Sequence, residues 1–395
     1  MSNTARTLPR STVALLAVAT ATAVAVAYYS QPLLEAIGSD LGLPAAVTPL
    51  IVTLAQLGFA ASLLLVLPLG DVLNRRRLIG GLSVLSAFAL GLTALAPNGA
   101  WVLWLAPLVG STAVVAQLLV ALTATLAAPA QRGRAVGTVM SGLLIGILLA
   151  RTAAGLIADL AGWRAVYVTA AISMLVIAVA LARRLPTTEP AEAMVSYPRL
   201  LGSVLRLVRQ QKVLRVRMLF GGLAFAQFSV LWTALTGLLS AEPYHYSEAV
   251  IGFFGIIGAV GAVAARLAGK LADTGHSGTA TWAAATMMLL SWVALVYGGA
   301  HLTALVAGII ILDFGVQAMH VTNQSQIYAL PGNARSRLTS AYMTAYFAGG
   351  ALGSAVVPLA AGTWGWTGVC ALGAGCALLQ ILSATRAPRH RAKTA

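Results

Sequence analysis

Charge is what this sequence has least of. Only 9% of its 395 residues are Asp, Glu, Lys or Arg, and just 10 are acidic, whereas soluble domains carry about 25% charged residues. With 59% of the residues hydrophobic, a water-facing surface would lack polar cover. A soluble globular domain is therefore excluded, and a bilayer is the solvent that accepts such a chain. Cysteine is equally scarce. Cys370 and Cys376 lie on one apolar stretch at a spacing that places them on different helix faces, so neither a disulfide nor a metal pair is expected. The motifs of enzymes are missing as well. There is no H-E-x-x-H, no G-x-S-x-G, no His/Cys cluster at metal spacing and no Gly-rich phosphate loop. Neither an enzyme nor a bound cofactor is expected.

What is present repeats. Residues 269–275 echo residues 67–77, with Asp71 and Asp273 at equivalent places. Arg132, Arg134, Met140, Gly146 and Trp163 recur as Arg335, Arg337, Met343, Gly349 and Trp366, each 203 positions later. A constant offset across an apolar chain implies two copies of one helical bundle, with function at the seam between them.

Each span needs about 20 apolar residues, and twelve stretches qualify: 11–33, 47–70, 78–97, 101–128, 134–158, 163–185, 217–240, 248–272, 280–299, 302–329, 336–362 and 364–385. Arg6 and Arg10 ahead of an Ala/Val-rich stretch imitate a secretory signal. The apolar run continues to Leu34, however, and the repeat requires a first helix to partner the seventh, so an uncleaved first span is expected. The net charge of +15 invites a nucleic-acid partner, but its placement speaks against one. All of the 25 basic residues except Arg151 and Arg164 fall in the termini or the even-numbered connections. The positive-inside rule then places both ends in the cytoplasm, and nucleic acid is not needed to explain the charge.

The expected organisation is a first bundle over 1–185, a linker over 186–216 and a second bundle over 217–395. Within the linker, Leu200, Leu201, Val204, Leu205 and Val208 recur at helical spacing among Arg206, Arg209 and Lys212. An amphipathic helix lying on the anionic inner leaflet is expected, with partner binding as the alternative.

Twelve spans, a six-plus-six repeat, a basic central segment and an Asp-centred turn after spans 2 and 8 resemble the major facilitator superfamily along essentially the whole chain. The signature loop of that family, G-x-L-A-D-x-x-G-R-R, is matched by Gly269, Leu271, Ala272 and Asp273 in the second half. Leu69, Asp71, Arg75 and Arg76 match it in the first, where Leu67 and Asn74 replace glycines. The basic residue that many proton-coupled members carry in span 4 would fall near Ala106 and is missing. Tyr28 to Pro32, Ser141 to Arg151, and Asp313 to Gln324 make the chain similar to bacterial drug and sugar efflux permeases. The resemblance implies an all-α membrane protein of two pseudo-symmetric six-helix bundles, a monomer of the cytoplasmic membrane, and a central cavity lined by spans 1, 4, 7 and 10. It also implies alternating access driven by protons. The expected function is export of small amphipathic molecules, with an uptake symporter as the alternative.

Chemistry concentrates on two deep charges. Asp313 follows His301 by 12 residues, about 18 Å along a helix rising 1.5 Å per residue and near the middle of a core roughly 30 Å thick. Arg151 precedes Asp159 by eight residues, about 12 Å from the outer face by the same rise. Each must face protein or water, because a charge at such depth costs on the order of 2.5–3.5 kcal/mol. Gln317, His320 and Gln324 continue the face of Asp313 at i+4, i+7 and i+11. Two roles fit. In one, Asp313 carries a coupling proton, His320 relays it and Arg151 drives its release. In the other, Asp313 and Arg151 form a permanent lock between helices.

Gln117 is the repeat counterpart of His320, and Gly110 that of Asp313. Tyr28 and Tyr29 in span 1, and Phe225, Phe228 and Trp232 in span 7, are the expected substrate surface, with interfacial anchoring as their alternative role. Asp71, Arg75, Arg76, Asp273, Arg132 and Arg335 are expected to gate the cytoplasmic side, against the simpler reading of the arginines as topology charges. Gly142, Gly146 and Gly155 in span 5, with Gly255, Gly258 and Gly261 in span 8, are expected to smooth the contact between the halves.

Overall fold

The computed structural model describes residues 9–128, 131–185, 197–257, 277–330 and 335–386. Helices dominate, and nine segments among the described residues are long and apolar enough to cross a bilayer. The first half holds α1 (Arg10–Ala25), α2 (Leu34–Leu41), α3 (Leu50–Leu65), α4 (Arg75–Ala94), α5 (Gly99–Thr112), α6 (Val114–Leu126), α7 (Arg132–Ala161) and α8 (Trp163–Arg184). After α9 (Tyr197–Gln210) come α10 (Lys212–Ser240), α11 (Glu248–Ile257), α12 (Ser277–Tyr297), α13 (Leu302–Tyr328) and α14 (Arg335–Arg386). The signature residues Gly269 to Asp273, with Gly258 and Gly261, lie outside the described residues.

Where the residues are described, the spans read from hydropathy map onto these helices; of 248–272 only 248–257 is described, as α11, and of 11–33 the α-helix ends at Ala25. Span 4 is divided between α5 and α6 at Ala113, whose N–H donates to the carbonyl of Gly110 at 3.1 Å. The long α14 breaks at Trp364 and Gly365, where Gly365 takes φ 58° and separates spans 11 and 12. Starts are set locally. Asn74 and Asn98 cap α4 and α5 by accepting the N–H groups of Arg77 and Trp101 at 3.1 and 3.0 Å, which satisfies donors that a helix start leaves free.

Small residues decide which helices touch. A side chain at Gly58 or Gly110 would strike the carbonyl oxygens of Pro107 or Ala55, 2.0 and 1.9 Å from the added carbon, so α3 and α5 run backbone to backbone. Gly142 and Gly146 face Ala17 and Ala21 of α1. They pack inside the first half and not at the seam, which corrects the expectation for these two. Their repeat partner Gly349 packs on Gly222 of α10, so the second half copies the contact. The seam uses Gly155, Gly252 and Gly255, where α7 meets α11. A second seam runs between α3 and α14.

Large apolar side chains point outward, among them Trp104, Leu160, Leu352 and Trp364. A bilayer removes this cost, because lipid is as apolar as the side chains. The linker helix appears as α9. Its Val204 is buried and Arg206 and Arg209 are exposed. It rests on α10, α14 and the Leu67–Asp71 turn, and Tyr197 donates to the carbonyl of Leu65. α10 runs unbroken from Lys212, so the end of the expected linker belongs to the helix that becomes span 7.

Candidate functional site

Where the halves meet, a cavity of about 80 Å³ is lined by Tyr28, Leu144, Ile147, Leu148 and Arg151 from the first half. The second half contributes Phe225, Phe228, Asp313, Val316, Gln317 and Tyr346. Substrate pockets are typically ~300–1,000 Å³, so the cavity as it stands is smaller than one that holds a ligand. Hydrogen bonds hold the halves together on both sides of the cavity. Toward the face opposite the termini, Thr236 donates to the carbonyl of Gln31 at 2.7 Å and Thr152 to that of Gly252 at 3.0 Å. Along the other seam, Gln56 donates to Ser229 at 3.0 Å, Thr53 and Ser354 share a bond at 2.8 Å, and Ser340 donates to the carbonyl of Leu63 at 2.6 Å.

Both deep charges reach this cavity and both are buried, Arg151 at 2% exposure and Asp313 at 5%. They do not pair, since no ion pair within 4.0 Å joins them among the described residues. Trp232 stands at both. Its indole N–H donates to Asp313 Oδ1 at 3.4 Å, a long bond, and its ring lies 4.2 Å from the Arg151 guanidinium carbon. Tyr28 and Phe228 complete a three-ring cage around that guanidinium at 4.9 and 5.3 Å. The cation these rings hold is thus the protein's own arginine. Arg151 also donates from Nε to Gln31 Oε1 at 2.7 Å and from Nη1 to the carbonyl of Ile147 at 3.3 Å.

Of the other residues singled out from sequence, Phe225, Phe228, Tyr28 and Gln317 stand on the wall. Gln117, Gln324 and Tyr29 are half-buried and off it. His320 is one step removed. It bonds through Nδ1 to the Tyr342 hydroxyl at 3.0 Å and packs on Tyr346, a wall residue, at 4.8 Å between ring centres. Tyr346 stacks in turn on Phe225 at 4.2 Å. Tyr342, Tyr346, Gln56 and Ser229 were not singled out beforehand. They sit in spans 2, 7 and 11 as ordinary aromatic or polar interruptions, and only the crossing of those helices places them at the seam.

The basic turn after span 2 is fastened within its own half. Arg75 bonds Asp71 at 2.9 Å, the Gly70 carbonyl at 2.6 Å and Thr125 at 2.5 Å, and Arg76 donates to the carbonyl of Ala182. Arg132 is exposed. Asp273 and the Arg335 side chain lie outside the described residues.

Comparison with known families settles the fold. The description Major Facilitator Superfamily matches residues 16–354. The chain belongs to this superfamily. It is 48% identical over 370 residues to the uncharacterized transporter YgaY of Escherichia coli, covering 94% of each chain. It is 36% identical over 359 residues to the probable transporter SCO4007 of Streptomyces coelicolor, covering 91% of this chain and 83% of that one. Among solved structures, the nucleoside transporter NupG superposes with a TM-score of 0.74 at 13% identity, covering 95% of this chain and 99% of the other. The protein is accordingly a multi-pass membrane transporter of the secondary kind, which moves a small molecule across a bilayer and is not an enzyme.

Proposed function

We propose that this transporter couples proton movement to the export of small amphipathic molecules across the bacterial inner membrane, with both termini in the cytoplasm. The observation that carries the reading is Asp313, an acid of the second half buried on the wall of the shared cavity with no basic partner within 4.0 Å among the described residues. A charge held at such depth costs on the order of 2.5–3.5 kcal/mol, and a proton removes it. Arg151 of the first half faces the same cavity, so rocking of the halves changes the distance between cation and carboxylate and with it the ease of releasing that proton. His320, linked to the wall through Tyr346, serves as relay.

The monomer is the working unit, and lipid is its partner at α9, whose exposed arginines meet the anionic leaflet. Asp71, Arg75 and Arg76 brace the first half's cytoplasmic corner, while Arg132, Asp273 and Arg335 are available to cross the opening as it shuts.

Proteoliposomes with an imposed pH gradient, assayed with a panel of amphipathic dyes and aromatic acids, test this directly. Wild type is expected to move at least one compound uphill, and Asp313→Asn to retain only downhill exchange. Full pH-driven accumulation by the Asn variant sinks the coupling role. Accumulation in the uptake direction alone replaces export by symport.

A further inference from the structure

Two buried hydrogen-bond donors, one on the cavity-lining Arg151 and one on its neighbour Gln31, have no acceptor among the described residues. Arg151 Nη2 and Gln31 Nε2 are both without partner, although their side chains are only 2% and 1% exposed. They are neighbours, because the Gln31 amide already receives Arg151 Nε on its oxygen at 2.7 Å. Buried donors are almost always satisfied, so a pair of orphans on one site points to an acceptor that arrives from outside.

The surroundings say which acceptor. No carboxylate of the described chain pairs with Arg151, and Asp313 is engaged by Trp232 instead. The three rings that could have attracted a cationic ligand already hold the guanidinium, so an ammonium group gains nothing there and meets like charge. A carboxylate matches a guanidinium in charge and in planar shape. Beside it, the stacked rings of Phe225, Phe228 and Tyr346 offer an apolar wall for a flat or hydrocarbon body.

We infer that Arg151 and Gln31 form the head-group subsite for the carboxylate of a small amphipathic acid, which makes the transported molecules organic monoanions and not cationic drugs. This deepens the transport reading above and rests on it. The substrate carboxylate supplies an acceptor for both donors.

The test measures binding, with no gradient, to the full-length protein in lipid nanodiscs. Benzoate, its uncharged isostere benzamide and the cation benzylamine are compared by isothermal titration calorimetry. Benzoate is expected to bind at least ~10-fold tighter than benzamide, a difference of about 1.4 kcal/mol, and benzylamine weakest. Arg151→Gln should abolish the preference. If that variant does not fold, Gln31→Glu supplies the second measurement: it removes one donor, pairs the guanidinium internally and should lower benzoate affinity at least ~10-fold more than benzamide affinity. Equal binding of benzoate and benzamide by wild type, tighter binding of benzylamine, or no benzoate binding each overturns the inference. None of these results touches the flux test of Asp313, and a protein that prefers benzoate but transports without Asp313 fails only the coupling reading.

Discussion

The two halves repeat one bundle, and the deep charges stand where that repeat breaks. Shifted by the 203-residue offset, Asp313 falls on Gly110 and Arg151 on Ser354. Gly110 is pressed against the Ala55 backbone, with no room even for a methyl group, and Ser354 is fully buried and bonded to Thr53. Each half therefore carries a charge where its twin keeps a small packing residue. One seam, α7 on α11, contains the cation. The other, α3 on α14, is held by neutral hydroxyls and amides. The asymmetry leaves one acid and one base facing a single cavity from opposite halves.

Restoring symmetry should do the most damage. Ser354→Arg buries an unpaired charge in the neutral seam and is expected to cost ~3–5 kcal/mol, read as a large drop in melting temperature in detergent. A variant that melts like wild type would mean that this seam is wetter than it looks. Gly110→Ala comes next. It overpacks the contact of α5 with α3 and should cost ~1–3 kcal/mol, whereas the same change at Gly237, with open space around it, should leave melting unaltered.

Thr53→Val removes one partner of a buried hydroxyl pair and should cost ~1–3 kcal/mol. The double change Thr53→Val with Ser354→Ala should recover much of that loss, because neither site then strands a polar atom; a strictly additive pair would show that the bond does not join the halves.

The smallest effect is expected at Asp40, on α2 beyond the end of span 1. Arg164 and Trp163 donate to it and hold its carboxyl below the usual range. Its contribution is present above the ordinary carboxylate range and is lost as pH falls through the lowered value. Asp40→Asn should therefore lower the melting temperature slightly at neutral pH and not at all in strong acid. A deficit that persists in acid would assign the effect to packing.

Much of the architecture was legible because lipid imposes one rule on every span: apolar length. The stretches 47–70, 134–158 and 302–329 reappear as α3, α7 and α13 for that reason, and the repeat at Gly146 and Gly349 announced equivalent packing. Asp313 and Arg151 stood out as costly charges, and both reach the cavity. Legibility stopped at pairwise geometry. Gly142 and Gly146 carry no mark that sends them to α1 and Gly155 to α11, since all three are small residues on one helix. Gln31 read as part of a span end, and only the fold gave it the Arg151 side chain to bind. Tyr342 and Tyr346 looked like membrane aromatics until α14 crossed beside His320 and Phe225.

Hydropathy and the internal offset determined the helical membrane fold and the two charges worth following, because these depend on what a bilayer tolerates along one helix. Which side chains face each other depends on helix crossings, and those follow from packing between segments hundreds of residues apart. Only that packing slid an indole between acid and base, filled a ring cage with an arginine, and left two donors waiting for a guest.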